Sequence, residues 1–93
     1  MNEEQVFASV WDALADTQQQ AAHLKVRSGL MIELNERIKD WPGSDTEKAQ
    51  RLKITKSRFS NLKSGRVDLF SLDALVDLAA SAGLVVSMHL VAA

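Results

Sequence analysis

The apolar positions between residues 46 and 65 predict two short helices joined by a tight turn. Apolar residues three apart share one face of a helix, and one such pair lies on each side of a basic turn. The small member of the first pair, Ala49, would let the two helices cross closely. The four core positions predicted by this spacing are Ala49, Leu52, Phe59 and Leu62.

Capping residues predict where the first of these helices begins. Thr46 is the preferred N-cap, and the helix would then run to Leu52. Ser44 with Glu47 three residues later forms a competing capping box.

The second helix has equally clear limits. Lys53 and Ile54 would make the turn, and Thr55 is a good N-cap directly after it. Gly65 follows the expected end near Ser64, where a left-handed residue is favoured. We therefore expect a helix-turn-helix motif over residues 46–65.

A longer amphipathic helix is expected upstream, over residues 18–41. Thr17 with Gln20 reads as a capping box at its start, and Pro42 with Gly43 would end it. The apolar stripe predicted to face the core is Val26, Leu30, Leu34 and Ile38, with Met31 beside it.

Downstream of the motif, a further helix is expected from Leu72 to Ala82. Ser71 is the predicted N-cap, and Phe70 with Leu75 would form a hydrophobic staple around it. Gly83 would stop the helix. Its predicted apolar stripe is Leu72, Leu75, Val76, Ala79 and Ala82.

The period of the pattern changes to two in residues 84–91, which predicts a β-strand. One face would carry Leu84, Val86, Met88 and Leu90. A lone strand leaves unpaired backbone groups, and the rest of the chain offers no second strand of similar quality. We expect the same strand of a second copy to pair with it antiparallel across a homodimer. The predicted fold is a mainly α helix-turn-helix bundle with this C-terminal strand.

The first fifteen residues predict a short amphipathic helix or an N-terminal arm. Phe7, Val10, Trp11 and Leu14 share one helical face. Two interpretations stay open: these side chains complete the core of this protein, or they dock on a partner.

Charge is distributed very unevenly along the chain. Residues 48–66 hold seven of the eleven basic residues and no acidic one, whereas the remainder carries four basic and twelve acidic residues. The overall net charge of -1 hides this separation. A concentrated basic segment on a helix-turn-helix motif indicates a polyanion, and we expect double-stranded DNA.

The predicted DNA-facing residues are those left outward when Phe59 and Leu62 point inward. Lysine and arginine can bond guanine edges, and asparagine can pair with adenine. Ser60, Lys63 and Arg66 are better placed for phosphate contacts, which position the protein without specifying sequence. The outward residues predicted to face the bases are Lys56, Ser57, Arg58 and Asn61.

Other classes of protein find little support. The chain has no cysteine, nucleophile motif, glycine-rich phosphate loop or metal-ligand spacing, so we predict no enzyme, cofactor or metal site. No apolar run reaches membrane-spanning length, and Glu3 and Glu4 stand where a signal peptide is basic. We expect a single cytoplasmic domain over residues 1–93.

The segment TEKAQRLKITKSRFSNLKSG resembles the Xre-type helix-turn-helix of phage-repressor-like proteins. The flanking segments LKVRSGLMIELNERI and GRVDLFSLDALVDLAASAGLVVSMHLV resemble small Xre-family antitoxins of the HigA kind. The resemblance covers roughly residues 8–91. It implies an antitoxin that neutralises a RelE/HigB-like ribonuclease toxin and represses its own operon as a dimer.

The resemblance also assigns roles by position. Thr46 matches the start of the first helix of the motif and joins the DNA-binding set, while Lys56, Ser57, Arg58 and Asn61 match DNA-facing positions. Two residues depart from the family pattern. Glu47 stands where glutamine is usual, and Lys53 stands where the turn usually has glycine.

Two other functions compete with the antitoxin. One is a stand-alone Xre-type regulator without a toxin. The other is a helix-turn-helix used only for contact between proteins, which predicts no DNA binding despite the basic helix.

Overall fold

The computed structural model describes residues 17–93, and the described chain is mainly helical. Four α-helices and one short 3₁₀ helix follow one another, so the predicted helical class is confirmed. The helix or arm predicted over residues 1–15 lies outside the described residues. The elements are α1 (Gln18–Ile38), α2 (Asp45–Leu52), α3 (Lys56–Lys63), the 3₁₀ helix (Val67–Leu69) and α4 (Leu72–Ser81).

Helix α1 begins where the sequence predicted and ends earlier. The Thr17 hydroxyl accepts a hydrogen bond from the Gln20 N–H at 3.0 Å, which confirms the N-cap. The helix ends at Ile38 rather than at Trp41. Pro42 disfavours the α conformation of the residue before it, so the helix closes before reaching Trp41.

The buried face of α1 differs from the predicted stripe. Val26 is 49% exposed, whereas Leu24 is buried, together with the predicted Met31, Leu34 and Ile38. The predicted stripe is a row of residues four apart, and such a row is inclined to the helix axis. It therefore stays against the neighbouring helices for only about two turns. Leu24, Met31 and Ile38 are seven apart, and that spacing stays closer to one face.

Helix α2 has Ser44, not Thr46, as its N-cap, so the preferred prediction was wrong and the competing one is confirmed. The Glu47 N–H donates to the Ser44 hydroxyl at 3.2 Å, and the Ser44 N–H donates to Glu47 Oε1 at 3.3 Å. Ser44 wins because it satisfies two backbone donors reciprocally with Glu47. Gly43 has φ +100, and a Cβ there would lie 3.0 Å from Glu47 Oε2.

The turn between α2 and α3 is left-handed at Lys53, with φ 62. The Lys53 N–H reaches the Ala49 and Gln50 carbonyls, so the turn closes α2 without glycine. Thr55 then caps α3 by accepting from the Arg58 N–H at 3.0 Å. Gly65 has φ 76, which confirms the left-handed position predicted after α3.

Helix α4 follows the 3₁₀ helix directly and was predicted almost to the residue. The Ser71 hydroxyl accepts from the Ala74 N–H at 3.1 Å, which confirms the cap. Phe70 and Leu75 are both fully buried, as the staple required. Leu78 is buried where the predicted stripe had Val76, which is 39% exposed.

The helices enclose one apolar core that fixes the orientation of α3. Phe59 and Leu62 of α3 are buried in the same core cluster as Leu34 of α1 and Leu52 of α2. Asn35 of α1 also donates a hydrogen bond to the Leu62 carbonyl at 2.9 Å, near the end of α3 where carbonyls lack helical partners. The opposite face of α3 is therefore held outward.

The predicted strand over residues 84–91 is not formed in the single chain. Residues 84–93 have no regular secondary structure, and no strand occurs anywhere in residues 17–93. Leu84 packs on the core, but exposure then rises along the predicted inner face, from 37% at Val86 to 75% at Met88 and 98% at Leu90. An extended segment without a partner strand has no ladder of hydrogen bonds to define it.

Candidate nucleic-acid interface

The outward face of α3 presents polar and basic side chains near the start of the helix. Lys56, Ser57 and Ser60 are exposed, and Asn61 is half-buried. Burial of Phe59 and Leu62 on the other face leaves these four positions facing away from the core. This is the arrangement that a recognition helix needs, because its first residues contact base edges in the major groove.

Arg58, the remaining position of the predicted base-contacting set, is engaged within the fold. Its Nη1 donates to the Leu69 carbonyl at 2.6 Å, and its Cζ lies 3.8 Å from the centroid of the Phe70 ring. The side chain is half-buried. Its predicted contact with a base stays a prediction, and it would require the guanidinium to leave both partners.

Two acidic residues enter the basic segment from its edges, which the linear charge pattern did not predict. Lys63 Nζ lies 3.2 Å from Asp45 Oδ2. Arg66 makes a two-point contact with Asp68, Nε to Oδ1 and Nη2 to Oδ2, each at 3.2 Å. These hydrogen bonds lower the pKa of Asp68 and raise that of Arg66. All four side chains are near the surface, so a phosphate could compete for both cations.

The two residues that depart from the Xre-type sequence pattern each have a local structural role. Glu47 holds its carboxylate on the backbone N–H and hydroxyl of Ser44, so it acts as a cap at the start of α2. Thr46 is exposed beside it, in the first turn of α2. Lys53 adopts the left-handed conformation that glycine would otherwise supply, and its side chain is exposed.

Another basic residue of α2 is held by an aromatic ring. The Arg51 guanidinium carbon lies 3.6 Å from the centroid of the Trp41 ring, a cation–π contact. Arg51 is exposed, so it keeps its charge at the surface while its plane is fixed. Together with Lys48, Lys53 and Lys56, it makes the surface of α2 and the turn basic.

A family model described as a helix-turn-helix domain matches residues 13–91, most of the chain. The chain belongs to this helix-turn-helix family. No curated protein and no solved structure matches it. Membership supports DNA binding for this helix-turn-helix domain, and the exposed polar start of α3 is the surface where we expect it.

Sequence reasoning missed the residues that hold this surface in place. Arg27 of α1 donates to the Phe70 carbonyl at 3.1 Å and to the Val67 carbonyl at 3.4 Å. Asn35 holds the end of α3, as described above. These partners are 27 to 43 residues apart in the chain, so no local pattern indicates them.

No helix in residues 17–93 is long and apolar enough to cross a membrane.

Proposed function

We propose that this helix-turn-helix domain is a sequence-specific DNA-binding repressor of transcription, without enzymatic activity. Helix α3 would enter the major groove of an operator, with Lys56, Ser57 and Asn61 at base edges. The predicted phosphate contacts are Thr46, Ser60, Lys63 and Arg66. Arg58 differs from these residues, because its guanidinium already donates a hydrogen bond to the Leu69 carbonyl.

One observation carries this proposal: the only outward face of α3 is polar and lies in the most basic part of the chain. Phe59 and Leu62 are 3% and 0% exposed, so α3 cannot turn that face inward without opening the core. Seven basic residues fall within residues 48–66. This concentration of charge favours a polyanion such as DNA over a protein as the partner of α3.

The test is binding to DNA from the promoter of the protein's own gene, measured over a range of salt concentrations. Asn61→Ala should cost about 1–3 kcal/mol if the amide contacts a base, and only with the operator sequence. Lys63→Ala is the matched control, because loss of a phosphate contact weakens operator and random DNA about equally. Unchanged operator affinity in Asn61→Ala would contradict the assignment of α3.

We further propose that the repressor is the antitoxin of a toxin–antitoxin operon and neutralises a RelE/HigB-like ribonuclease. This part rests on the resemblance of the sequence to HigA-type antitoxins and on the separation of charge. Outside residues 48–66 the chain has a net charge of about minus eight, which suits a basic partner. Exposed acids of α1 and α4 contribute to it: Glu33, Glu36, Asp73 and Asp77.

Co-expression with the product of the adjacent gene separates this role from the alternatives. An antitoxin restores growth of cells that express the neighbouring protein, and the two proteins co-purify. Operator binding without rescue would indicate a stand-alone regulator. Rescue without any DNA binding would indicate a domain that contacts only proteins.

We propose that the active form is a two-fold dimer joined by residues 84–91. The apolar side chains of the tail are exposed in the single chain, and residues 84–88 border an apolar cavity of about 580 Å³ against α1 and α4. An antiparallel pair of tails would satisfy the free backbone groups and cover Met88 and Leu90. Two recognition helices about 34 Å apart would then match one turn of DNA.

A further inference from the structure

The segment between α3 and α4 is held from two sides by arginine side chains. Arg27 of α1 bonds the Val67 and Phe70 carbonyls, and Arg58 of α3 bonds the Leu69 carbonyl between them. The three carbonyls are therefore shared between two helices that are distant in sequence.

Arg58 also covers an aromatic ring of the core. Phe70 is 1% exposed, and the Arg58 guanidinium lies over its face at 3.8 Å. The planar guanidinium stacks on the ring while one of its N–H groups reaches the neighbouring carbonyl, a pairing that lysine cannot reproduce. Removal of Arg58 would uncover the ring and leave the Leu69 carbonyl without this donor.

We propose that Arg58 is a positioning residue of the recognition helix and does not contact DNA. A two-point contact with guanine needs two guanidinium N–H groups directed into the groove. In this structure the guanidinium instead ties the first turn of α3 to residues 69 and 70, and through Phe70 to the start of α4. Arg58 thereby sets the angle at which Lys56, Ser57 and Asn61 are presented. The inference rests on the proposed DNA-binding function.

Two substitutions distinguish positioning from contact. Arg58→Met keeps a long unbranched side chain but removes the charge and the donor, and Lys56→Met makes the same change at an exposed position of the same turn. Each phosphate neutralised by the protein contributes about 0.9 to the slope of log affinity against log salt. We expect Arg58→Met to leave that slope unchanged, because the proposal gives Arg58 no phosphate contact. Loss of the exposed Lys56 charge should reduce the slope by at most this amount.

Arg58→Met should still weaken operator binding several-fold while random DNA is bound almost as before. Phe70→Leu, which keeps the arginine and removes the ring, should reduce operator affinity by a similar factor. The variant with both substitutions should bind the operator no more weakly than the more strongly affected single variant. Normal operator binding by Phe70→Leu would overturn the proposal, because a direct contact of Arg58 with a base does not need the ring. A reduced slope in Arg58→Met would also overturn it, because the slope counts phosphate contacts.

The stacking of Arg58 on Phe70 can also be measured in the unmodified protein, where no variant has to fold. The side-chain NMR resonances of Arg58 should be shifted upfield by the Phe70 ring, and the shift should persist when operator DNA is bound. Loss of the upfield shift in the complex would mean that the guanidinium leaves the ring for DNA, and would overturn the inference.

Failure of the proposed function has a different signature. If the unmodified protein binds no DNA, the DNA-binding proposal fails, and amide exchange then tests Arg58 alone. Positioning predicts faster exchange in α3 for Arg58→Met than for Lys56→Met. Equal exchange rates in the two variants would overturn the positioning role whatever the protein binds.

Discussion

Leu90→Ser tests the proposed dimer at a residue that contributes nothing to the fold of the single chain. Leu90 is 98% exposed, so its loss should leave the folding of the monomer unchanged. In the proposed dimer it lies on the inner face of the tail with Val86 and Met88. Any effect of the substitution on assembly therefore reports burial between copies.

The size of the effect follows from the change in exposure. Full burial of a leucine side chain is worth about 1.5–3 kcal/mol, and a two-fold interface loses it twice. The dimer would thus lose about 3–6 kcal/mol, an increase in Kd of roughly 100-fold to 20,000-fold. Incomplete burial near the end of the tail would bring the result towards the lower figure.

Val85→Ser is the matched control because Val85 is 93% exposed in the single chain and lies on the opposite face of the tail. Sedimentation equilibrium over a dilution series should show Leu90→Ser dissociating at far higher concentration than both Val85→Ser and the unmodified protein. Equal dissociation of the two variants would refute the alternation of faces. An unmodified protein that is monomeric at all concentrations would refute the dimer.

Three further predictions concern the motif itself. Lys53→Gly should raise the free energy of unfolding by up to about 1 kcal/mol. It removes a side chain in the left-handed conformation, which costs about 1–2 kcal/mol, but the greater backbone entropy of glycine in the unfolded chain offsets part of that gain. The melting temperature should therefore rise by a few degrees. Asp68→Asn should free Arg66 and tighten non-specific DNA binding up to about fivefold at low salt, whereas Asp73→Asn, at the start of α4, should change it less. The Arg66–Asp68 pair should stabilise the fold while the Asp68 carboxylate is charged, and this contribution should be lost as pH falls through the lowered pKa of Asp68. Asp68→Asn should remove this small loss of melting temperature in acid.

The sequence alone determined the helices whose ends are local events. Thr17, Thr55 and Ser71 each cap a helix by accepting a backbone N–H three residues on, and this needs only a β-region residue with a side-chain oxygen. Gly65 follows α3 for an equally local reason. The charge pattern located the basic surface because the motif and the basic residues coincide in the chain.

Only the tertiary structure decided which of several possible faces and partners each residue uses. Leu24 rather than Val26 is buried because the packing direction of α1 against the other helices chooses among overlapping apolar rows. Arg58 has outward spacing on α3, yet it bonds Leu69 because the chain folds back to bring that carbonyl within reach. Residues 84–91 alternate like a strand but form none in the single chain, since a strand exists only through hydrogen bonds to another strand.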